Sequence, residues 1–491
     1  MNPAAAEMYR AMRFFMILLP PAPFRSRIMQ SPKHRMPNTF KVLGFAAWLA
    51  LSPNLCPAAT EARPAANGFI SEPLSLAEAL NIALRQNPSV QRARTEVEAA
   101  EGVVIQTRAI AVPKLGITGE YTALQPSSID TVPQIGFALG NDQRWQSQIK
   151  LVQSLYEGGR MLSSLRAAKL LRQQAMLSYQ AAVTDVVLEV QLAYYDVLLA
   201  AGQIHVREHS IELLTSELED ARRRYEAGTV PRFNVLRAEV ELANERPNLS
   251  RVRNDFRIGK NKLANLLGFN LPAADSGDVP LNLSDNLKAE PFSIGLSQAI
   301  QKGLSTRLEL DLARTARALR AEDVVRAKAG YKPSLQGFAG YDVHSSMFSD
   351  DLTDELHGWM AGVQLTWNIF DGLQTQGRVR EAKARLEGAD IEVEDAQRRI
   401  ELEVRVAHSA FIEATEVLES SAKVVEQAEE ALRLATARSQ AGTGTQLDVL
   451  AARTALTQAQ NTRIQALRDY SAARARLDRA MGATIPAPPE T

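Results

Sequence analysis

The sequence predicts a mixed, mainly α fold in which two amphipathic strand hairpins each lead into a very long helical hairpin. Three observations carry that prediction. The chain says nearly the same thing twice: Tyr156-Glu157-Gly158 returns as Phe370-Asp371-Gly372, Ala227-Gly228-Thr229 as Ala441-Gly442-Thr443, Asn234-Val235-Leu236 as Asp448-Val449-Leu450, and Gly268 as Gly482, each 214 positions on (442 − 228). A repeat of this length is far beyond the roughly 20–50 residues of a solenoid unit, so it reads as two copies of one supersecondary block in a single body. Within each copy the stretches Gly158 to Gly228 and Gly372 to Gly442 contain no proline, and upstream of each lie segments of about ten residues with a period of two.

Composition narrows the class before any element is placed. The chain has 491 residues, 45% of them apolar and only 6% aromatic, with 56 basic and 56 acidic side chains. A balanced charge without a concentrated basic face argues against nucleic acid as a partner. After residue 60 there is no run of 18 apolar residues, so no transmembrane helix is expected in the mature chain. Residues 1–60 read as a signal peptide with an upstream extension: Lys33-His34-Arg35 and Lys41 precede an apolar core from Val42 to Leu51, and Ala58, Ala59 and Ala62 supply small residues for cleavage. Met29 and Met36 are alternative initiators. The single cysteine, Cys56, excludes an internal disulfide, and Pro53-Asn54-Leu55 before it lacks the small residues that lipoprotein processing prefers.

The first copy occupies 61–290. Leu76-Ala77-Glu78-Ala79-Leu80 opens a helix that is interrupted at Asn87-Pro88, runs on to about Val112 and stops at Pro113. The strand hairpin 114–156 follows. Leu115, Ile117, Gly119 and Tyr121 alternate with Gly116, Thr118, Glu120 and Thr122, and on the return Trp145, Ile149, Leu151 and Leu155 oppose Gln146, Gln148, Lys150 and Ser154. The second copy, 291–482, opens at Leu296 and places its strand hairpin at 334–370. There Leu335, Ala339, Tyr341 and Val343, then Trp359, Ala361, Val363, Leu365, Trp367 and Ile369, form the apolar face. The first copy carries six extra residues between its strands, the mark of a variable loop. Strands of this length with aromatics near their ends fit a transmembrane barrel, and equally a soluble half-buried sheet.

The helices decide between those two. A continuous helix of 70 residues is about 105 Å long, which a compact domain has no use for. In the second copy Ala382, Leu386, Ala389, Val393, Ala396, Ile400, Val404, Ala407, Phe411, Ala414 and Leu418 recur at spacings of three and four, a coiled-coil-like seam rich in small residues. The long helical hairpins are expected at 159–268 and 373–482, each turning at Ala-Gly-Thr into a return helix of about 40 residues, or about 60 Å. The helix from about Leu76 to Val112 adds about 55 Å, enough for end-to-end stacking with the return helix against the long one. Residues 483–491 form a short Pro-rich tail. Four strands cannot close a barrel, and lipid does not tolerate unpaired edges, so the chain must associate; three copies give twelve strands.

At this point the residues resemble the TolC-type outer-membrane channel family, over about Ser75 to Gly482. The resemblance rests on Leu76-Ala77-Glu78-Ala79-Leu80 with Asn87-Pro88, on the junctions Tyr156-Glu157-Gly158-Gly159 and Phe370-Asp371-Gly372, and on the duplicated Ala-Gly-Thr turns followed by Asn/Asp-Val-Leu. It implies a homotrimer in the cell outer membrane, a twelve-stranded barrel in outer-membrane lipid continued by a periplasmic α-helical barrel. It implies a passive exit duct of a tripartite efflux or type I secretion system, working with an inner-membrane pump and a periplasmic adaptor (membrane fusion) protein, without cofactor or catalysis. The turns Ala227, Gly228, Thr229, Ala441, Gly442 and Thr443 then become adaptor-docking sites. Asp448 matches the aspartate ringing the pore constriction, where threefold crowding attracts cations and lifts the carboxyl pKa values; a helix N-terminal aspartate stabilised by the dipole is the plainer alternative. Ala451, Gly444 and Ser439 depart from the gate residues of some relatives. Tyr121, Trp145, Tyr341, Trp359 and Trp367 fall to the membrane interface.

Other motifs carry less. His205-Val206-Arg207-Glu208-His209 has the spacing of a zinc-protease helix but sits in the middle of a rod with no cleft, and reads as exposed helix surface. Asp350, Asp351, Asp354 and Glu355 read as a solvated extracellular loop, and Gly442-Thr443-Gly444-Thr445 lacks the lysine of a phosphate loop. The rival class is a periplasmic coiled-coil adaptor or scaffold without a pore, which normally has one helical hairpin where this chain has two.

Overall fold

The computed structural model describes residues 73–125, 131–132, 137–138, 143–270, 278–346 and 352–482. The expected signal region 1–60 with Cys56, and the tail 483–491, lie outside them. The first copy supplies α1 (Leu76–Gln86), α2 (Pro88–Arg108), β1 (Lys114–Ala123), β2 (Gln143–Glu157), α3 (Arg160–Glu226) and α4 (Arg232–Leu266). The second supplies α5 (Leu296–Thr306), α6 (Leu308–Lys328), β3 (Ser334–Ser345), β4 (Glu355–Thr366), α7 (Gln374–Gln440) and α8 (Gln446–Ala480). A two-residue ladder, Thr131–Val132 with Phe137–Ala138, lies in the longer connector of the first hairpin.

The copies match helix for helix, at 11, 21, 67 and 35 residues. The return helices are thus shorter than the 40 residues expected, because 227–231 and 441–445 are spent on the turn and the N-cap. At 67 residues, α3 and α7 are each about 100 Å long. All eleven seam residues of α7 are buried or half-buried. Within the chain α3 packs against α2, α4, α6 and α8, while α7 packs against α6 and α8. The helices therefore form a sheet-like wall ordered α2, α3, α6, α7 near the strands and α4, α3, α8, α7 near the turns.

The expected stacking needs one correction. Only α2 stacks on the end of α4, where the Asn87 amide donates to Leu266 O at 2.8 Å. Pro88 disfavours helical backbone at Asn87, whose ψ is 127°, so α1 leaves the axis there. It is capped by Ser75 and Glu78 in a reciprocal box and buries Ala79 and Ala83 among Val186, Val190 and Tyr194 of α3. The segment joining the copies is fastened at both ends. The Tyr194 hydroxyl lies 2.9 Å from both Leu74 O and the Asp285 carboxylate, which share its one proton, and burial with that carboxylate pushes its pKa well above the ordinary phenol value. In the second copy His408 stands at the equivalent place and its Nε2 donates to Ile294 O at 2.9 Å. Phe292 packs edge-on against Phe411 at 5.8 Å, with the Arg474 guanidinium 3.0 Å from its ring centre.

The four strands form one antiparallel sheet in the order β1-β2-β3-β4. Its register produces the two predicted faces. Ile117, Ile149, Tyr341 and Trp359 make one row and Leu115, Leu151, Ala339 and Ala361 the next, while Thr118, Gln148, Asp342 and Gly358 lie on the other face. The apolar face is open: Trp359 is 85% exposed and Leu115 69%. Two expectations at the strand ends are corrected. A bulge between Ser154 and Tyr156 takes Leu155 out of the ladder, and β4 ends at Thr366, so Trp367 and Ile369 lie beyond it. Phe338 departs from the polar pattern of its face, its ring covering Gly362 with the Lys150 ammonium 4.8 Å from the ring centre. Among the described residues no strand pairs with the outer edges of β1 and β4.

Candidate functional site: the helical turns and the strand faces

Both long helices end in the same hydrogen-bonded reversal. After α3, the Gly228 N–H donates to Tyr225 O and the Thr229 N–H to Arg224 O, each at 2.9 Å. After α7, Gly442 donates to Ser439 O at 3.2 Å and Thr443 to Arg438 O at 3.0 Å. These are Schellman turns, whose C′ residue must be left-handed, and Gly228 and Gly442 have φ of +73° and +76°. Ala227, Gly228, Thr229, Ala441, Gly442 and Thr443 are all exposed in the single chain, with open space where a Cβ would sit on either glycine.

Asp448 is the third residue of α8 and closes a capping box. Its carboxylate accepts from the Thr445 N–H at 3.0 Å and hydroxyl at 2.8 Å, and its own N–H donates to the Thr445 hydroxyl at 3.2 Å. Those two donors, with Arg438 nearby, hold its carboxyl below the usual carboxylate range. Within one chain the shift is therefore opposite to that expected from crowding of three copies. The first copy cannot build this box: its N-cap is Pro231, which has no side-chain acceptor, and Asn234 stands in place of Asp448. The Asn234 amide instead donates to Gln446 at 3.2 Å; Gln446 donates to Glu217, and Arg453 reaches Leu213 O at 3.0 Å. This bridge from α4 through α8 to α3 was not legible beforehand, since Gln446, Glu217 and Arg453 are ordinary helix-surface residue types.

The aromatic residues occupy three levels rather than two ends. Tyr121 and Trp145 are in register, with the Trp145 indole donating to Leu352 O at 3.0 Å. Tyr341 and Trp359 pack edge to face at 5.0 Å, four residues further along the strands. Trp367, past the strand end, donates to Tyr331 O at 3.2 Å. Trp359 and Trp367 are eight residues apart, about 27 Å along a strand. Of the other motifs, His205 and His209 are exposed on α3 while Glu208 pairs with Arg253 at 2.7 Å, and no cluster of three or more metal-ligating side chains occurs among the described residues. Asp350 and Asp351 lie outside those residues; the Asp354 carbonyl accepts from the Ser346 N–H at 2.7 Å.

Known proteins share this architecture. The outer membrane efflux protein family matches residues 79–269 and 299–483. Over 422 residues the chain is 23% identical to outer membrane protein TolC of Escherichia coli, with 82% of each chain covered. It is 24% identical over 410 residues to the alkaline protease secretion protein AprF of Pseudomonas aeruginosa, covering 82% of this chain and 83% of that one. The crystal structure of the Campylobacter jejuni CmeC outer membrane channel superposes with a TM-score of 0.71 at 17% identity, covering 83% of this chain and 85% of that one.

Proposed function

The chain belongs to the outer membrane efflux protein family, and from that premise we propose that three copies close side by side into one duct whose constriction is ringed by Asp448 and whose tips receive a periplasmic adaptor. As a member of that family it is an outer-membrane exit channel of an efflux or type I secretion system, with its strands in the outer membrane and its helices in the periplasm. Channels of this family work as trimers with adaptor and inner-membrane pump partners.

One observation carries the assembly: both layers of the chain end in matching unpaired edges. In the sheet the edges are β1 and β4. In the helical wall they are α2 and α4 on one side and α7 on the other. Along α7 the residues Leu402, Val406, Val417 and Val424 stay exposed away from the buried seam, and on the opposite edge Phe233, Leu236 and Val240 of α4 and Ile105 of α2 do the same. An open apolar edge on each side, together with unpaired strand edges that lipid would not solvate, is satisfied when β4 and α7 of one copy meet β1, α2 and α4 of the next. Three repeats give twelve strands, an even number within the range for such barrels.

Single-channel conductance of the purified, crosslink-verified trimer in planar bilayers tests the reading. Conductance is expected. A folded, inserted trimer that carries no current, with Asp448→Ala as silent as the parent, returns the chain to the scaffold class. For the tips, Thr229→Cys and Thr443→Cys are expected to crosslink to the adaptor in cells, and capture only from cysteines placed in the strands removes the docking assignment.

A further inference from the structure

Resting on the exit-channel reading, we propose that a cavity at the foot of the sheet, on the face turned to the lumen, binds small multivalent anions bearing phosphate or carboxylate groups. The cavity has a volume of about 270 Å³ and is lined by Glu157, Arg160, Lys332, Ser334, Thr366 and Asn368, among others. That volume accommodates a compact anion. Ser334 and Thr366 are in register and share the face of Asp342 and Gly358, the polar face that a closed barrel turns inward.

The charges in this cavity are unbalanced. Neither the Arg160 nor the Lys332 side chain is paired with a carboxylate among the described residues, and both are exposed. The one acid, Glu157, is engaged by the Ser154 hydroxyl at 2.7 Å. Arg160 is also the first residue of α3, where the positive end of a 67-residue helix adds to the two cations instead of offsetting them. Two cations and three polar side chains around one hollow are the chemistry that holds a phosphate or carboxylate by charge-assisted hydrogen bonds.

The second copy shows the same junction without the site. There Asp371 stands where the first copy has Glu157, and its carboxylate accepts from the Thr375 N–H at 2.8 Å and hydroxyl at 2.5 Å. Gln374 replaces Arg160, so the junction is capped by its own carboxylate and carries no excess positive charge. Each chain thus has one site, and a closed ring three.

Calorimetric titration of pyrophosphate into the purified full-length protein reads the site whether or not the protein conducts. Arg160→Gln and Lys332→Gln are each expected to weaken binding about tenfold, the worth of one charge-assisted hydrogen bond. Lys150→Gln, on the same face but away from the cavity, is expected to change nothing. No binding by the parent protein overturns the proposal, and so does an equal loss in Lys150→Gln, which would mean a diffuse positive lumen. In phosphatidylcholine bilayers pyrophosphate is expected to reduce single-channel current. A response to added phosphatidylglycerol with none to pyrophosphate would identify a lipid headgroup and overturn the lumenal site. Pyrophosphate binding without any conductance would instead count against the channel reading alone.

Discussion

In the first copy the bend between the two short helices is made with neutral groups; in the second, the same bend is made with charge. Asn87 has ψ 127° and is followed by Pro88, which excludes helical backbone before it, and the Asn87 side chain accepts from the Ser89 N–H and donates to Leu266 O, both at 2.8 Å. Arg307 has nearly the same ψ, 124°, but is followed by Leu308, so nothing local forces the break. It is held instead by tertiary contacts. Only 5% exposed, Arg307 donates to Glu309 at 2.8 and 2.9 Å, to Glu403 at 2.8 Å and to Ala480 O at 3.4 Å. Arg479 joins the same carboxylates and reaches Asp185 on α3 at 2.7 Å. Burial opposes charge on Arg307 and on Glu309, yet their mutual hydrogen bonds prevail, holding the guanidinium pKa up and the carboxyl pKa down. What proline does for one joint at no cost in contacts, the other achieves with a cluster that also ties the second copy to the first.

Removing the cluster's centre is the sharpest way to break that comparison. Arg307→Gln leaves Glu309 and Glu403 with Arg479 as the cation they still share and is expected to lower stability by about 2 kcal/mol, less than for a fully buried pair because both carboxylates remain partly solvated and keep that partner. Urea unfolding of the detergent-solubilised protein measures it, and a loss under about 0.5 kcal/mol would show that the bend does not depend on the charge. Asn87→Ala removes a cap and one buried hydrogen bond and is expected to cost about 1–2 kcal/mol. Because Leu308 opens α6, where proline is tolerated, Leu308→Pro in the Arg307→Gln background is expected to restore about 0.5–1 kcal/mol by importing the first copy's solution.

The parts of the molecule governed by a periodic environment were legible in the sequence. The seam from Ala382 to Leu418 could be read because every member faces the same neighbours, and the faces from Leu115 to Leu365 because one side meets apolar surroundings throughout. Single departures were not legible. The bulge at Leu155 and the exit of Trp367 from β4 leave alternation intact in the sequence while the ladder has already shifted or ended. Apart from Glu309, the partners of Arg307 lie 96 and 173 positions away, at Glu403 and Ala480, and a lone arginine before a leucine gives no sign of burial. For the candidate site, the turns were legible from Ala-Gly-Thr, because Gly228 and Gly442 require left-handed backbone, whereas the cap on Asp448 turned on the residue three before it, threonine in one copy and proline in the other.

The turns allow a comparison in which the copies are expected to agree. With open space at both Cβ positions, Gly228→Ala and Gly442→Ala are opposed only by the positive φ, so each is expected to cost about 1 kcal/mol. A clear difference between them, measured by the same unfolding assay, would mean that one turn is covered in the assembly and the other is not.

Asp448 and Asn234 are the pair in which the copies are expected to disagree, and pH separates the two explanations of the aspartate. As a cap, its carboxyl is held below its unfolded value by the Thr445 N–H and hydroxyl. A group depressed in this way stabilises the fold above its unfolded pKa, near 3.9, and loses that contribution as pH falls through the lower folded value. As one of three carboxylates crowded at a constriction, it would be raised instead, and the cation preference of the pore would fade as pH drops while still above about 4. The ratio of cation to anion permeability, measured from reversal potentials across a pH series for the parent and for Asp448→Asn, distinguishes them. If Asp448 rings the constriction, the parent titrates above the ordinary aspartate range and Asp448→Asn is flat. A midpoint below that range, or a cation preference that survives in Asp448→Asn, leaves Asp448 as the cap that Pro231 prevents Asn234 from forming, and moves the constriction elsewhere on the wall.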